Sequence, residues 1–316
     1  MLDLIIKNGI IITADETFKG DIGIENEKIL CIGFSGKLDC LINRDEEKGR
    51  VTRIIDAEGK YVMPGLIEPH MHVKAPFSGT IDMLDFYTAS KCAAFGGVTS
   101  FMDFSTTTEK TPVLEAVKDR LQEMQEESAL DYCVHPKFIN AGKSEDELRN
   151  TIRTLVEEGV PAFKMFTIYP GVMIKDADIL KIMKLAKEEG ALCRFHAESN
   201  DIAQFMTENL IKDRQMDWEY FNKAKPNECE SEAVNRIIKF AELLDAPVYF
   251  YHLSTKEAVE AVRQAKNRGV KVYAETCGHY LALTDEKNKG KDGINYLMSP
   301  PLRSEEDRKA MWDGLK

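Results

Sequence analysis

The chain has 316 residues, 43% hydrophobic and 30% charged, with a formal net charge of −11. That length admits one large domain, or a barrel-sized domain with a smaller appendage. The acidic balance argues against a nucleic-acid partner, whose phosphates demand a basic footprint. No run approaches the roughly 20 apolar residues of a membrane span. The start, Met1-Leu-Asp-Leu-Ile-Ile-Lys7, lacks the basic region and cleavage pattern of a signal peptide. A cytoplasmic protein without a membrane partner is expected. The seven cysteines are scattered and never spaced Cys-x-x-Cys, so neither a thiolate zinc cluster nor a disulfide scaffold is expected. Most should be reduced core residues.

Residues 1–58 read as short strands and turns, the N-terminal part of a small β-domain too small to bury a core alone. Leu4–Thr13 carries an Asn8-Gly9 turn signal between two β-branched runs, which predicts a hairpin. Asp21–Gly33 repeats the form of strand, polar turn and strand, and Arg53–Asp56 adds another strand. From residue 59 the pattern changes to short apolar strands alternating with amphipathic helices. Strands are predicted at 61–68, 98–104, 132–139, 161–168, 191–197, 247–253 and 271–276. Helices are predicted at 111–127, 144–158, 176–189, 230–244 and 255–268, and Gly159, Gly190 and Gly269 follow three of them where a C-terminal cap would sit. This alternation means parallel strands with helical crossovers. Without a Gly-x-Gly-x-x-Gly turn it favours an α/β fold of the (β/α)8 TIM-barrel type over 59–316. The seven predicted strands are one short of closure, and Ser304–Asp313 starts a helix just before the last residue; the expectation is an incomplete barrel, lacking its eighth strand, from a longer protein.

In such a barrel the active site lies at the C-terminal ends of the strands. His70 and His72 follow the first strand, in Pro64-Gly-Leu-Ile-Glu-Pro-His-Met-His-Val73. Side chains at i and i+2 of a strand share a face, roughly 6–7 Å apart, so both imidazoles can aim at one point. Lys164 lies inside the fourth strand between Phe163 and Phe166, where an unpaired ammonium is costly. His196 and His252 end the fifth and sixth strands. Each histidine alone is an ordinary core residue; four of the six at three strand ends point to a metal or catalytic cluster. His135 falls mid-strand and reads as core or support, and His279 lies just beyond the seventh strand, where lining the pocket and a loop role are both open.

The run Pro64–Phe77 resembles the first-strand signature of the cyclic amidohydrolases, and most closely their hydantoinase/dihydropyrimidinase branch. Asp82–Tyr87, Gly96-Gly-Val-Thr99, Phe163–Phe166 with Tyr169, His196-Ala-Glu198 and Ser299-Pro-Pro-Leu-Arg303 extend the likeness from about residue 3 to the end. The resemblance implies the fold of that family, with residues 1–58 as part of a β-sandwich. It implies two divalent metal ions, zinc before manganese, with His70 and His72 on one, His196 and His252 on the other, and Lys164 bridging as a carbamate formed with carbon dioxide (N6-carboxylysine). That reaction turns a buried cation into an anionic ligand. Tyr169 would donate to the oxyanion as the catalytic residue this chain carries. Ser299 would help hold the amide or imide edge of the ring through its backbone, and Phe77, Phe166 and Met173 would make an apolar pocket for its substituent. The implied substrate is a small cyclic amide or imide, a dihydropyrimidine or 5-substituted hydantoin, and the implied assembly a homotetramer.

Two departures matter. Glu68 stands where the family usually has Asp, and the family's metal-bound aspartate, the general base and acid at the end of strand eight, has no counterpart among these residues, so hydrolysis is expected of the longer parent and not of these 316 residues alone. Allantoinase and dihydroorotase chemistry remain alternatives, the latter needing cations such as Lys74 or Arg303 for a substrate carboxylate. A non-catalytic binding protein on the same scaffold is a third, against which every metal ligand the length permits is present.

Overall fold

The computed structural model describes residues 2–45, 47, 50–77, 79–142 and 144–316, the side chain of Phe77 excepted. Two compact units are found, Met1–Ile67 and Glu68–Lys316. In the first, β1 (Leu4–Ile12), β2 (Thr17–Glu25), β3 (Lys28–Gly33) and β4 (Arg53–Asp56) form a sheet of order β3-β2-β1-β4, and β5 (Tyr61–Val62) also pairs with β1. The expected hairpin at Asn8-Gly9 does not form. β1 runs straight through it with a register shift between Ile6 and Gly9, and Asn8 takes a φ of +61°. A bulge there satisfies the same residues differently: the Asn8 backbone N–H donates to Asp21 Oδ1 at 2.8 Å and its side chain to Asp56 Oδ1 at 3.0 Å. The second predicted turn is present, with Asn26 and Glu27 both at positive φ between antiparallel β2 and β3. The predicted strand 61–68 is broken in two: β5 belongs to this first sheet, and β6 (Leu66–Glu68) follows after Pro64 and Gly65.

The second unit continues with β7 (Pro76–Phe77), β8 (Thr80–Ile81), α1 (Phe86–Phe95), β9 (Val98–Phe104), α2 (Val113–Glu127), β10 (Asp131–His135), α3 (Glu145–Glu157) and β11 (Ala162–Phe166). Then come α4 (Asp176–Glu188), β12 (Leu192–His196), α5 (Asn200–Lys212), α6 (Phe221–Ala224), α7 (Asn227–Leu244), β13 (Val248–Phe250), α8 (Lys256–Asn267), β14 (Val272–Ala274), α9 (Gly278–Ala282) and α10 (Glu305–Gly314). Strands β9 and β10 pair in parallel, as do β11 through β14 in sequence. Reciprocal backbone bonds between Lys164 and the Pro136–Phe138 segment (2.8 and 2.9 Å) join the two groups into one curved wall. This is the parallel, helix-covered wall of a TIM-type barrel.

Helix boundaries follow local chemistry. Ser144, Thr255 and Ser304 cap α3, α8 and α10 through their hydroxyls, and Ser304 with Asp307 makes a reciprocal capping box. Gly190 and Gly269 terminate α4 and α8 at φ of +79° and +87°, a conformation that penalises any Cβ.

The alternation of side chains along the strands positions the site. Phe163 and Met165 of β11, Cys193 and Phe195 of β12, and Val248 and Phe250 of β13 face outward into one core shared with Ile179, Ile182, Ile237 and Ile238 of the helices. The intervening Lys164, Phe166, Arg194, His196 and Tyr249 face inward. Of the seven cysteines only Cys193 and Cys229 are buried; Cys40 and Cys92 are exposed and all are unpaired thiols, so fewer line the core than expected. Among the described residues no helix is long and apolar enough to cross a membrane.

Candidate metal centre and active site

His70 and His72 lie just past β6 on an extended segment that runs along β9, where the Met71 N–H donates to the Met102 carbonyl at 2.9 Å. The shared face expected from their spacing is realised: their Nε2 atoms are 3.2 Å apart. Glu68, in place of the family's usual Asp, accepts the backbone N–H of His70 at 2.9 Å and so fixes the turn that presents the pair. His252 joins them from two residues past β13. A regular strand would point Tyr251 and His252 to opposite faces, but His252 takes a φ of +39°, and both rings reach His70, at centroid distances of 4.5 and 5.1 Å. His196 closes the group with its ring 4.4 Å from that of His252. Strained backbone of this kind persists where surrounding structure over-determines it, commonly at functional sites.

Lys164 lies beneath these rings, 1% exposed. Its Nζ has no hydrogen-bond partner and rests 3.7 Å from the centre of the Tyr251 ring, with Phe166 and Phe104 further off at 4.6 and 5.0 Å. Burial holds the amine well below its ordinary range, helped by the Arg194 charge and opposed by Glu275. Burial likewise depresses His70 and His252, and it lowers His196 to about 4. His72 shifts the same way but keeps an exposed edge, so the enclosed three are the better evidence for neutral imidazoles. Neutral imidazole is the metal-binding form.

Carboxylates orient two of the rings. His70 Nδ1 donates to Glu275 Oε1 at 2.7 Å, and Tyr249 Oη donates to Oε2 of the same group at 2.6 Å. The His70 Nε2 lone pair is then turned inward, the usual arrangement behind a metal-binding histidine. His196 Nε2 donates to Glu198 Oε2 at 2.7 Å. Glu198 is wholly buried; burial pushes its carboxyl up, but the hydrogen bond from His196 and the Lys225 charge prevail and hold it at about 2. The buried His252 Nδ1 has no partner.

These observations serve as a test of whether the residues fit a metal. Among the described residues no three histidine, cysteine or carboxylate side chains already form an ion cage. The fifth group at the centre is instead a lysine, and the unpartnered Lys164 Nζ and His252 Nδ1 are buried polar atoms that a modified, metal-bound centre would satisfy. Five donors from four strand ends, with carboxylates behind two of them, fit the group.

Tyr169, three residues past β11 and at a φ of +75°, places its ring 5.4 Å from His196. Its Oη contacts Ser299 Oγ and lies 3.0 Å from Lys225 Nζ. Ser299, assigned from sequence a backbone role toward the substrate, has its side chain in this polar cluster. Phe166 packs on His196 at 5.3 Å, and its backbone bridges to Met173, which is 40% exposed at the site's edge. The side chain of Phe77 lies outside the described ones. His135 is a core residue: it accepts from Arg194 and bonds the Ala162 carbonyl at 3.3 Å. His279 sits on α9, packed on Tyr280.

Of the two cations considered for a substrate carboxylate, Lys74 is engaged elsewhere and Arg303 is engaged through Nε and Nη1, its buried Nη2 having no partner. Lys74 pairs with Glu123 and Glu127 at 3.0 and 2.7 Å, while buried Arg303 donates to Ser254 Oγ and to the Lys225 carbonyl. Sequence reasoning missed Glu275 and Lys225. Glu275 ends an apolar strand, the same signal that singled out the histidines. Lys225, on the turn between α6 and α7, carries no such signal.

A model of the amidohydrolase family matches residues 61–313. The chain is 34% identical to a D-hydantoinase of Geobacillus stearothermophilus over 99% of its length, covering 64% of that relative. It is 35% identical to a D-hydantoinase of Ralstonia pickettii, covering 100% of this chain and 66% of that one. The crystal structure of a dihydropyrimidinase from Brevibacillus agri superposes with a TM-score of 0.91 at 33% identity, covering 99% of this chain and 66% of that chain. The chain thus spans just under two thirds of the length of these relatives. Hydantoinases of this family use a binuclear metal centre. With the barrel wall, the histidine cluster and a match over most of its length in agreement, the chain belongs to the amidohydrolase family.

Proposed function

We propose that the protein hydrolyses the cyclic amide bond of dihydropyrimidines or 5-substituted hydantoins at a binuclear metal centre. One observation carries this reading: an unpartnered, fully buried Lys164 amine at the barrel end where His70, His72, His196 and His252 gather. A neutral, buried amine is the form that reacts with carbon dioxide, and the resulting carbamate would bridge two ions, His70 and His72 holding one, His196 and His252 the other. When bound, two divalent ions would supply an activated water and polarise the scissile carbonyl. The nitrogen and oxygen donor set suits zinc, with manganese second.

The chain's own residues do the rest. Glu275 and Glu198 hold the His70 and His196 rings in fixed tautomers. Tyr169 Oη donates to the oxygen that gains charge as the ring opens. Ser299 meets the imide edge of the substrate, and Phe166 and Met173 flank an apolar 5-substituent. Lys74 is held by Glu123 and Glu127 and so is withdrawn from a carboxylate-bearing ring, which favours these substrates over dihydroorotate. The homotetramer, the cytoplasmic location and the assignment of the first unit to a β-sandwich domain stay part of the proposal on family resemblance.

The test is ring opening of a hydantoin with an aromatic 5-substituent by the full-length protein loaded with zinc or manganese in bicarbonate. The expected product is the N-carbamoyl amino acid. Intact hydantoin with metal bound would overturn the proposal.

A further inference from the structure

Lys225 is a buried cation in direct contact with Tyr169, and its side chain is 10% exposed. Its Nζ donates to Tyr169 Oη at 3.0 Å, to Glu198 Oε2 at 3.0 Å and to Ser299 Oγ. An ammonium has three hydrogens and no acceptor, so Tyr169 and Ser299 both accept from it. Ser299 Oγ also stands 3.2 Å from Glu198 Oε2. An ionised carboxylate only accepts, so the single hydroxyl hydrogen of Ser299 is directed there. In the Tyr169–Ser299 contact Tyr169 is therefore the donor. The network has one direction: Lys225 to Tyr169, Tyr169 to Ser299, Ser299 to Glu198.

The backbone holds this lysine deliberately. Arg303 donates to the Lys225 carbonyl, Asn222 Nδ2 donates to the Leu302 carbonyl at 2.9 Å, and Pro226 follows as the N-cap of α7. Arg303, Leu302 and Ser299 belong to one short segment, so the element that brings in Ser299 also anchors Lys225.

We propose that Lys225 is a positioning residue for ring opening: its ammonium occupies a lone pair of Tyr169 Oη and thereby commits the phenol to donate its hydrogen. In the resting site Ser299 Oγ takes that hydrogen; with substrate present the developing oxyanion takes it. A cation against the phenol oxygen also makes the O–H a stronger donor. This inference rests on the hydrolase reading above.

The test is a double-mutant cycle on the metal-loaded protein, with kcat, KM and bound metal measured for wild type, Lys225→Met, Tyr169→Phe and the double variant. Lys225→Met should lower kcat by about 10²-fold, the scale of a lost oxyanion donor. KM should stay within about threefold and metal content should not change. In the Tyr169→Phe background the same change should cost less than about threefold, because coupled residues are non-additive. Lys225→Gln, a milder change should the Met variant misfold, should show the same coupling, and Lys225→Arg should recover most of the rate. An equal loss in both backgrounds, or loss of metal in Lys225→Met, would mean that Lys225 only supports Glu198 and His196, and would overturn the inference alone. A metal-loaded wild type that leaves the hydantoin ring closed would remove the hydrolase reading and the inference together.

Discussion

Glu275 and His70 are 205 residues apart in the chain, yet their side chains meet at 2.7 Å, and that contact decides which nitrogen His70 presents to the cluster. The carboxylate takes the Nδ1 hydrogen, and Nε2 faces His72. Glu275→Gln keeps the shape and removes the charge that fixes this tautomer. Apparent metal affinity should fall roughly 10–100-fold, the usual cost of losing a carboxylate behind a ligand. Titration with a competing chelator measures it, and an unchanged affinity would contradict the orienting role.

Lys164→Met separates binding from folding. The amine is buried without a partner, so the folded protein bears a desolvation cost that Met removes. Without metal and bicarbonate the variant should melt no lower than wild type. With both supplied, wild type should gain stability and the variant should not. Thermal scans under the two conditions supply the comparison.

For Tyr169→Phe the expected loss is in kcat, about 10²–10³-fold, with KM little changed, since the role proposed for the hydroxyl is toward charge that develops only in the transition state. Steady-state kinetics on one hydantoin suffices. A change confined to KM would assign Tyr169 to ground-state binding.

Stability of the metal-free protein should depend on pH through the enclosed imidazoles. Burial lowers His196 from 6.5 to about 4. Between those values the unfolded chain binds a proton that the folded one does not, so stability is highest above pH 6.5 and is lost as pH falls. The loss from this group is complete below about 4. Urea midpoints between pH 7.5 and 4 should fall steadily. His196→Asn should flatten the slope without abolishing it, because His70, His135 and His252 shift the same way.

The sequence carried the site further than it carried the framework. His70, His72, Lys164, His196 and His252 were legible because each interrupts or ends an apolar strand, and the barrel rule sends such residues to one end. The period of two in β11 and β12 separates inward Lys164 and His196 from outward Phe163 and Phe195 without any structure. Asn8-Gly9 misled because the same positive-φ preference serves a hairpin and a bulge, and only the pairing of β1 with β2 and β4 distinguishes them. The strand expected at 61–68 misled because Pro64 and Gly65 sit inside its apolar run. The positive φ of His252, which turns it to the side of Tyr251, has no local signal, and Lys225 reaches Tyr169 from a turn whose position depends on Arg303.

The most direct test of the binuclear reading is elemental analysis of the protein purified from zinc- or manganese-supplemented medium with bicarbonate, beside Lys164→Ala. Two ions per chain in wild type, with the binuclear stoichiometry lost in the variant, are the predicted outcome. Fewer than one ion in wild type, or two ions with undiminished hydantoin hydrolysis in Lys164→Ala, would contradict the account.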